Sequence, residues 1–349
     1  MGLKVALTYN LKRKTGNTGL PDDYYSEFDS KETIEAIASG LRSGGNQVSL
    51  VEADKGLLNW FQENKVDIVF NIAEGLNGES RESQVPAILD FLGIPYSGSG
   101  VLALSVSLNK TLTKKLFEQA GIPTPKYRLV TDPSAVSDEG LKYPLIAKPN
   151  SEGSGKGITM ASVVRNKADL VREVERTARV YQQETLVEEF IDGKELTVGI
   201  LGNYPAAAMP ILEIDFSNCR ASGEFFYTWK VKEFEKEVEE SKGLTPNWHC
   251  PARLSAAEAK TVKETALKAF RAIGCVDLSR VDIMLGKDGV PYVLEVNPLP
   301  GLDPVDSNFP YIAKCAGLDY PDLMNRILEV TLERHNKNKK LALQERSSR

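Results

Sequence analysis

Two short β segments, Val281 to Leu285 and Tyr292 to Val296, are joined by Gly286-Lys287-Asp288-Gly289, and this pattern reads as an antiparallel hairpin. Alternate residues of a strand share a face, so Arg280 and Asp282 point one way, as do Glu295 and Asn297 on their own strand. Two carboxylates and an amide oxygen converging there suit Mg²⁺, a hard cation that takes oxygen ligands and completes its shell with phosphates and water. For the isolated segment, an exposed hairpin with an ordinary salt bridge is the plainer account.

The rest of the chain sets that hairpin in a larger architecture. The opening reads strand, loop, helix: Leu3 to Tyr9 is β-compatible, Asp29 with Glu32 resembles a capping box, and Ile34, Ile37, Ala38 and Leu41 keep helical spacing until Gly44-Gly45. Strands at Val48 to Val51 and Val66 to Phe70, with a polar helix between them, continue a βαβ rhythm that leads to the helix Gln84 to Leu92. Residues 1–105 are therefore expected to form a small parallel α/β domain. A helix from Asn109 to Gln119 opens a second unit, 106–202, with strands at Leu145 to Lys148, Ile158 to Val163, Leu186-Val187 and Leu196 to Leu201 and a helix at Lys167 to Tyr181. A third unit, 203–335, has a helix signalled by Ser255 and Glu258, then the hairpin, then a helix from Tyr320 to Glu333. Residues 336–349 are charged and aperiodic and read as a flexible tail.

A chain of 349 residues with 42% hydrophobic residues is too long for one ordinary domain and can bury a large core. Its net charge of -5 gives no electrostatic reason to bind nucleic acid or an anionic membrane, so a small soluble ligand is expected. No early apolar run is long enough for a signal peptide or membrane span, which predicts a cytoplasmic protein. The four cysteines lack metal-ligand spacing and read as reduced thiols.

Three further features could carry chemistry. Lys148 ends a strand and enters Pro149-Asn150-Ser151-Glu152-Gly153-Ser154-Gly155-Lys156-Gly157, a loop whose backbone N–H groups could lie over phosphates, or which could be a surface turn. It does not have the Walker A spacing. Glu188 and Glu195 flank the turn at Gly193 and could meet ribose hydroxyls or simply face solvent. Lys110 could contact phosphate or be a surface lysine. Gly98-Ser-Gly100-Val-Leu-Ala103 formally matches a dinucleotide fingerprint but lies far from the first strand, so a dinucleotide-dependent oxidoreductase has little support.

Taken in order, Lys110, Lys148-Pro149, Glu152-Gly153-Ser154, Glu188, Glu195, Arg280-Val-Asp282, Glu295-Val-Asn297 and Pro300-Gly301 resemble the D-alanine–D-alanine ligase family of ATP-grasp enzymes. Gly93-Ile-Pro-Tyr-Ser-Gly-Ser-Gly100 and Cys250-Pro-Ala252 are similar to it as well. The resemblance runs from the first strand to about residue 333. It implies an ATP-grasp fold, α/β and α+β, with an N-terminal parallel α/β domain and ATP held between the second and third units. It implies a homodimer acting on a small carboxylate and an amine, both amino-acid-like, through an acyl phosphate. Lys110 and Lys148 would hold the α- and β-phosphates, Glu188 the adenine end, Glu195 the ribose, and Lys230 the γ-phosphate. Asp282, Glu295 and Asn297 would bind two Mg²⁺. Arg280 would stabilise the oxyanion, with Ser154 and Lys230 beside the reacting groups.

Departures from the family pattern fall on substrate positions. Glu27 is a loose counterpart of the glutamate that takes the first substrate's amine, Glu74 stands where the family commonly has His, and Glu79 keeps the acid that follows. The tyrosine that would link Ser154 to the first glutamate is replaced by Val231, so the lid must be held differently. After Pro300-Gly301 the family supplies small hydroxyl residues for the second substrate's carboxylate, whereas this chain reads Leu302-Asp303-Pro304-Val305-Asp306-Ser307. An aspartate about 4 Å from that carboxylate would cost up to ~4 kcal/mol at an effective dielectric of about 20. Either Ser307 does the binding, or the acceptor carries a positive group near Asp303 or Asp306 or lacks a carboxylate there. The alternatives are an ATP-grasp ligase for a different amino acid or amine, and an ATP-binding relative without turnover.

Overall fold

The computed structural model describes residues 2–13, 21–222 and 245–347, with only the backbone of 220–222 and 341–347. Lys230, Val231 and the acidic stretch 233–240 lie outside the described residues.

The chain opens with β1 (Lys4–Tyr9), α1 (Lys31–Ser43), β2 (Gln47–Glu52), α2 (Leu57–Glu63) and β3 (Ile68–Asn71), whose strands form a parallel sheet in the order β2-β1-β3. The residue capping α1 is Ser30, whose hydroxyl accepts from the Thr33 amide, rather than the expected Asp29; Glu32 instead sits in the first turn, where its charge suits the helix dipole. A 3-10 turn at Arg81–Ser83 leads into α3 (Gln84–Leu92). An unexpected helix, α4 (Val101–Leu108), precedes α5 (Lys110–Gln119). Its apolar residues lack a one-sided stripe because it is covered on several sides, so periodicity did not expose it.

The second unit holds β4 (Tyr127–Val130), β5 (Leu145–Pro149), β6 (Val163–Val164), α6 (Lys167–Tyr181) and β7 (Thr185–Glu189), forming an antiparallel sheet in the order β4-β7-β5-β6. The strand expected from Ile158 shrinks to Val163–Val164. Thr159 and Ser162 cap one another across a 3-10 turn at Met160–Ser162, which takes those residues out of the ladder.

The third unit contains β8 (Gly193–Leu201), β9 (Ala207–Asp215), β10 (Asn247–His249), α7 (Ala256–Ile273), β11 (Leu278–Gly286), β12 (Pro291–Asn297), α8 (Asn308–Cys315) and α9 (Tyr320–Ser347). Its sheet is antiparallel, in the order β10-β9-β8-β11-β12. Strand β8 was expected in the second unit, but it pairs with β9 and β11, so that unit ends before Gly193 rather than at 202. The reason is burial: Leu196, Val198 and Ile200 pack with Val281, Ile283 and the apolar face of α7. The closing helix likewise continues to Ser347 where a tail was expected from 336. Its Lys, Leu, Ala, Gln and Glu residues are good helix formers and extend an already nucleated helix without needing an apolar face.

A shared core joins the first sheet to the third. Leu7, Phe70 and Ile37 meet Phe309, Ile312, Met324 and Leu212 across α8 and α9. The second sheet has a separate core, with Leu145, Val187, Leu170 and Val174 packing β5 and β7 against α6. The cleft between the second and third sheets, roofed by loops of the first unit, is where the charged residues collect.

Asp277 ties these parts together. It is 0% exposed and accepts hydrogen bonds from the Gly98 amide, Asn203 Nδ2, Thr331 Oγ1 and Arg334 Nη2 at 2.7–2.9 Å. Those partners lie before α4, after β8 and on α9. Removing the carboxylate leaves the Arg334 guanidinium without its buried counter-charge, so Asp277→Ala is expected to cost about 3–5 kcal/mol. Urea denaturation checks this, and a loss under about 1 kcal/mol would show that the three parts hold together without the node.

Candidate active site

Two cavities meet in the cleft. One is a slot of about 130 Å³ between the second and third sheets, with Ile146, Ile158, Phe190, Ile191, Met284 and Leu294 on its apolar walls and Lys110, Lys148 and Lys156 among its cations. The other, about 260 Å³, lies under the first unit and is lined by Glu27, Glu74, Glu82, Asp306, Ser307 and the loop at Gly153-Ser154. Lys110, Glu152, Arg280, Glu295 and Asn308 line both, so they mark the junction.

The hairpin supplies the junction's oxygen donors through a bulge. Ile283 pairs with Val293, but Asp282 pairs with Glu295 and Arg280 with Asn297, so Leu294 is an extra residue. Such an insertion re-aims the residues beyond it. Without it Asp282 would face Leu294. With it Asp282, Glu295 and Asn297 share one face: Asn297 Nδ2 donates to Asp282 Oδ2 at 3.0 Å, and Arg280 Nη2 does so at 3.0 Å. Thr197 Oγ1 on β8 donates to the other carboxylate oxygen at 2.9 Å. Lys110 Nζ lies 3.6 Å from Glu295 Oε2 and donates to the Glu152 carbonyl.

Deeper in the slot, Glu188 is buried between two lysines, 2.5 Å from Lys148 Nζ and 2.7 Å from Lys114 Nζ. Burial alone would raise its pKa, but the two ammonium charges outweigh it and hold the carboxyl at about 2. Glu195 lines the same slot on β8.

The glycine loop is held from the first unit. The Gly153 amide donates to Glu27 Oε1 at 2.9 Å and the Gly157 amide to Asp23 Oδ2 at 2.9 Å. Arg81 Nη2 donates to both oxygens of Glu27 at 2.8 Å, and Lys156 Nζ reaches Glu27 at 3.3 Å and Glu152 at 2.5 Å. Burial opposes the Glu27 charge, yet Arg81 and Lys156 keep its pKa below the ordinary value. A Cβ at position 153 would lie 2.5 Å from Glu27 Oε1, which is why glycine stands there. Glu27 and Asp23 thus do the fastening that the sequence left open at position 231. Ser154, at φ 51°, faces the larger cavity.

In that cavity Glu74 and Glu82 stand near Glu27, with carboxylate oxygens of all three within 4.8 Å of one another. Burial, then the neighbouring carboxylates, push Glu74 well above the usual carboxylate range and Glu82 up to about 8. Glu79 does not join them: it is exposed and lines a different cavity. Asp303 is also occupied, since Thr33 Oγ1 donates to one of its oxygens at 2.5 Å and the amides of Val305 and Asp306 to the other at 2.8 and 2.9 Å. Ser307 Oγ accepts from the Asp303 amide at 3.1 Å.

The donor set fits a magnesium ion, being all oxygen and gathered on one face, and the slot fits a purine nucleotide, with apolar walls leading to lysines. Arg81, Glu82 and Lys114 were not found from sequence. The pattern Glu79-Ser-Arg81-Glu82, charged residues set directly before an apolar helix, was the available signal. Nothing distinguishes Lys114 from its neighbour Lys115 locally, because only the fold buries one of them.

Residues 116–329 match the family model described as D-ala D-ala ligase C-terminus. A D-alanine–D-alanine ligase of Desulforamulus reducens is 33% identical over 86% of this chain and 92% of its own length. A Sinorhizobium fredii protein named uncharacterized protein y4sG is 32% identical over 86% of this chain and 88% of its own. The crystal structure of a Bacillus anthracis D-alanine–D-alanine ligase complexed with ATP shares the fold, with a TM-score of 0.74 at 24% identity over 97% of this chain and all of that one. So does VanG, a D-Ala:D-Ser ligase from Enterococcus faecalis, with a TM-score of 0.70 at 23% identity over 95% of this chain and all of that one.

The geometry of Glu188 gives a direct test. Its folded pKa, about 2, lies below the ordinary 4.5, so its stabilisation is complete above pH 4.5 and is lost as pH falls through 2. At about 1.4 kcal/mol per unit this amounts to ~3 kcal/mol. Glu188→Gln should be less stable at neutral pH by about 3–5 kcal/mol, and its stability should fall less steeply than the parent's between pH 4.5 and 2. Denaturant titrations at stepped pH measure both, and parallel pH profiles would remove Glu188 as the charge anchor.

Proposed function

The chain belongs to the D-alanine–D-alanine ligase family and is an ATP-dependent ligase, and from that premise we propose that it joins an amino-acid-like carboxylate to an amine through an acyl phosphate. The observation that carries this reading is the meeting of the two cavities at Lys110, Arg280 and Glu295. A nucleotide filling the slot would present its terminal phosphate where a small molecule in the larger cavity presents its carboxylate. That is the juxtaposition a phosphoryl transfer followed by amide formation requires.

In this reading Lys110 and Lys148 would hold the α- and β-phosphates, Glu195 the ribose, and Asp282, Glu295 and Asn297 the magnesium ions. Metal ions bound there supply charge neutralisation on the transferring phosphoryl group. Glu188 is given to adenine by the resemblance; its ion pairs with Lys114 and Lys148 support a second duty, aiming two buried lysines. The substrate carboxylate oxygen bonds to the γ-phosphorus as the bond to ADP breaks. The amine nitrogen then attacks the acyl carbon, and phosphate leaves. Arg280 lies at the junction to stabilise the oxyanion of that second step, and its pairing with Asp282 fixes the guanidinium in place. Ser154 borders the same space. Lys230 keeps its expected role at the γ-phosphate as part of the proposal.

Asp303, Asp306 and Ser307 all border the cavity, and the Asp303 oxygens are occupied by Thr33 and backbone amides, so of the two aspartates Asp306 is the better placed to meet an acceptor. We further propose a cytoplasmic homodimer, consistent with its use of ATP. Contacting helices α3 and α4 each leave a large apolar side chain in solvent, Phe91 at 86% and Leu102 at 76% exposed, which supports a self-association face. Among the described residues no helix is long and apolar enough to cross a membrane.

The decisive experiment measures phosphate release from ATP and Mg²⁺ across pairs of amino acids and amines, with mass spectrometry of the products. A productive pair should yield a new amide, and Arg280→Ala should lower the rate about 100- to 1000-fold while nucleotide affinity changes little. Equal rates for the variant and the parent would take Arg280 out of the chemistry.

A further inference from the structure

The larger cavity is unusually acidic for a site that handles carboxylates. Among the described residues, Lys110 and Arg280 are the cations lining it, against eight carboxylates. Six of those acids are matched: Glu27 by Arg81 and Lys156, Glu152 by Lys156, Glu295 by Lys110, Asp303 by Thr33 and backbone amides, and Asp29 and Asp306 by interactions of their own. Glu74 and Glu82 are different. Glu82 is 9% exposed and borders the cavity, yet neither it nor Glu74 takes a hydrogen bond or close ion pair from any described residue. Burial and crowding hold the pair toward the neutral acid, and a cation arriving between them from the cavity would let them ionise.

The geometry says what kind. Oxygens of Glu27, Glu74 and Glu82 lie within 4.8 Å of one another. Three oxygens with no separation above 4.8 Å all lie within about 2.8 Å of some common point, so a single nitrogen can come within charge-assisted hydrogen-bond reach of them. An ammonium has three donors to offer and no acceptor to waste. Glu27 spends its charge on Arg81 and Lys156, so an incoming cation would be matched by ionisation of Glu74 and Glu82, which it would itself favour.

Resting on the ligase reading, we propose that Glu74 and Glu82 read a cationic group carried by one of the two substrates in addition to its reacting groups. That substrate is then a basic amino acid or a comparable amine-bearing acid rather than a small neutral one. A neutral amino acid brings a carboxylate with its ammonium and adds no net charge to a cavity already rich in acids. A substrate with a further ammonium or guanidinium supplies the missing positive charge. Glu74 and Glu82 are specificity residues here, since they bind the substrate at a distance from the bonds that change.

The test uses the full chain with a non-hydrolysable ATP analogue and Mg²⁺, and calorimetry with lysine and ornithine against norleucine and norvaline, each as both enantiomers. The parent should bind a basic probe at least tenfold more tightly than its neutral counterpart. Glu82→Gln, and independently Glu74→Gln, should abolish that difference while nucleotide affinity and thermal midpoint stay near the parent's. Phosphate release with the same probes should show the same preference. Neutral probes binding as tightly as basic ones, or a variant that weakens both alike, overturns the inference. So does a Mn²⁺ site, detected without nucleotide, that is lost in Glu82→Gln and not displaced by basic probes, because the cluster would then be a metal site. Glu82-dependent binding of basic probes without turnover by any pair would uphold the inference and count against the ligase reading. Amide formation from neutral pairs at rates equal to basic ones would uphold the ligase reading and sink the inference.

Discussion

One extra residue in β12 decides what this cleft can do. Strand β11 is paired along its whole length with β8 and on its other edge with β12, so its backbone has no freedom to adjust. The insertion of Leu294 is absorbed entirely by β12, turning Glu295 toward Asp282 and Asn297 toward Arg280 while Val293 and Val296 stay in the core. The oxygen donors are therefore built on a rigid central strand and aimed by a local defect. That combination gives positional precision that a loop-borne cluster would lack. The shape of the slot follows from the same pairing, because Asp282 and Met284 point into it while Val281, Ile283 and Leu285 point away.

Charge is sorted on either side of that strand. Lysines 110, 148 and 156 gather in the slot, and Glu74 and Glu82, which take no hydrogen bond from any described residue, lie in the larger cavity. Lys114, Lys148 and Lys156 are each paired with a carboxylate: Glu188 on β7 for Lys148 and Lys114, and Glu27 together with Glu152 of the same loop for Lys156. A polyanion and a cationic small molecule would each be drawn to its own side, and Arg280 stands where the two sides touch. The fastening of the glycine loop by Glu27 and Asp23 couples this sorting to the first unit, since the loop that roofs the slot is held by carboxylates from the segment before α1.

Much of this was legible in the sequence where a residue's role is local. The hairpin, the Ser255–Glu258 capping box, the strand ending at Lys148 and the first parallel sheet all follow from turn chemistry and period, and the structure contains each. What stayed hidden depends on partners far along the chain. Strand β8 was given to the wrong sheet because its alternation of apolar residues says that one face is buried but not against which strand. Helix α4 has no polar face to betray its period. The bulge at Leu294 cannot be read from Leu-Glu-Val, since a regular strand and a bulged one share that sequence. Asp303 looked like a substrate residue until its oxygens were seen to cap its own turn and bond Thr33, 270 positions away.

That last point bears on how such a site changes substrate without losing its chemistry. Arg280 and Glu295 at the junction are held by the third sheet, whereas much of the wall of the larger cavity comes from the segment before α1, the turn before α3 and the loop after β12. Side-chain bonds tie these segments together: Arg81 binds Glu27, and Asp303 binds Thr33 on α1. Substitutions there alter the charge presented to a substrate while Asp282, Glu295 and Arg280 keep their register. Glu74, which stands where the resemblance expects histidine, and Glu82 both lie on this wall. They leave the strand untouched, so retention of the ligase chemistry and departure from a neutral substrate are compatible outcomes of one fold.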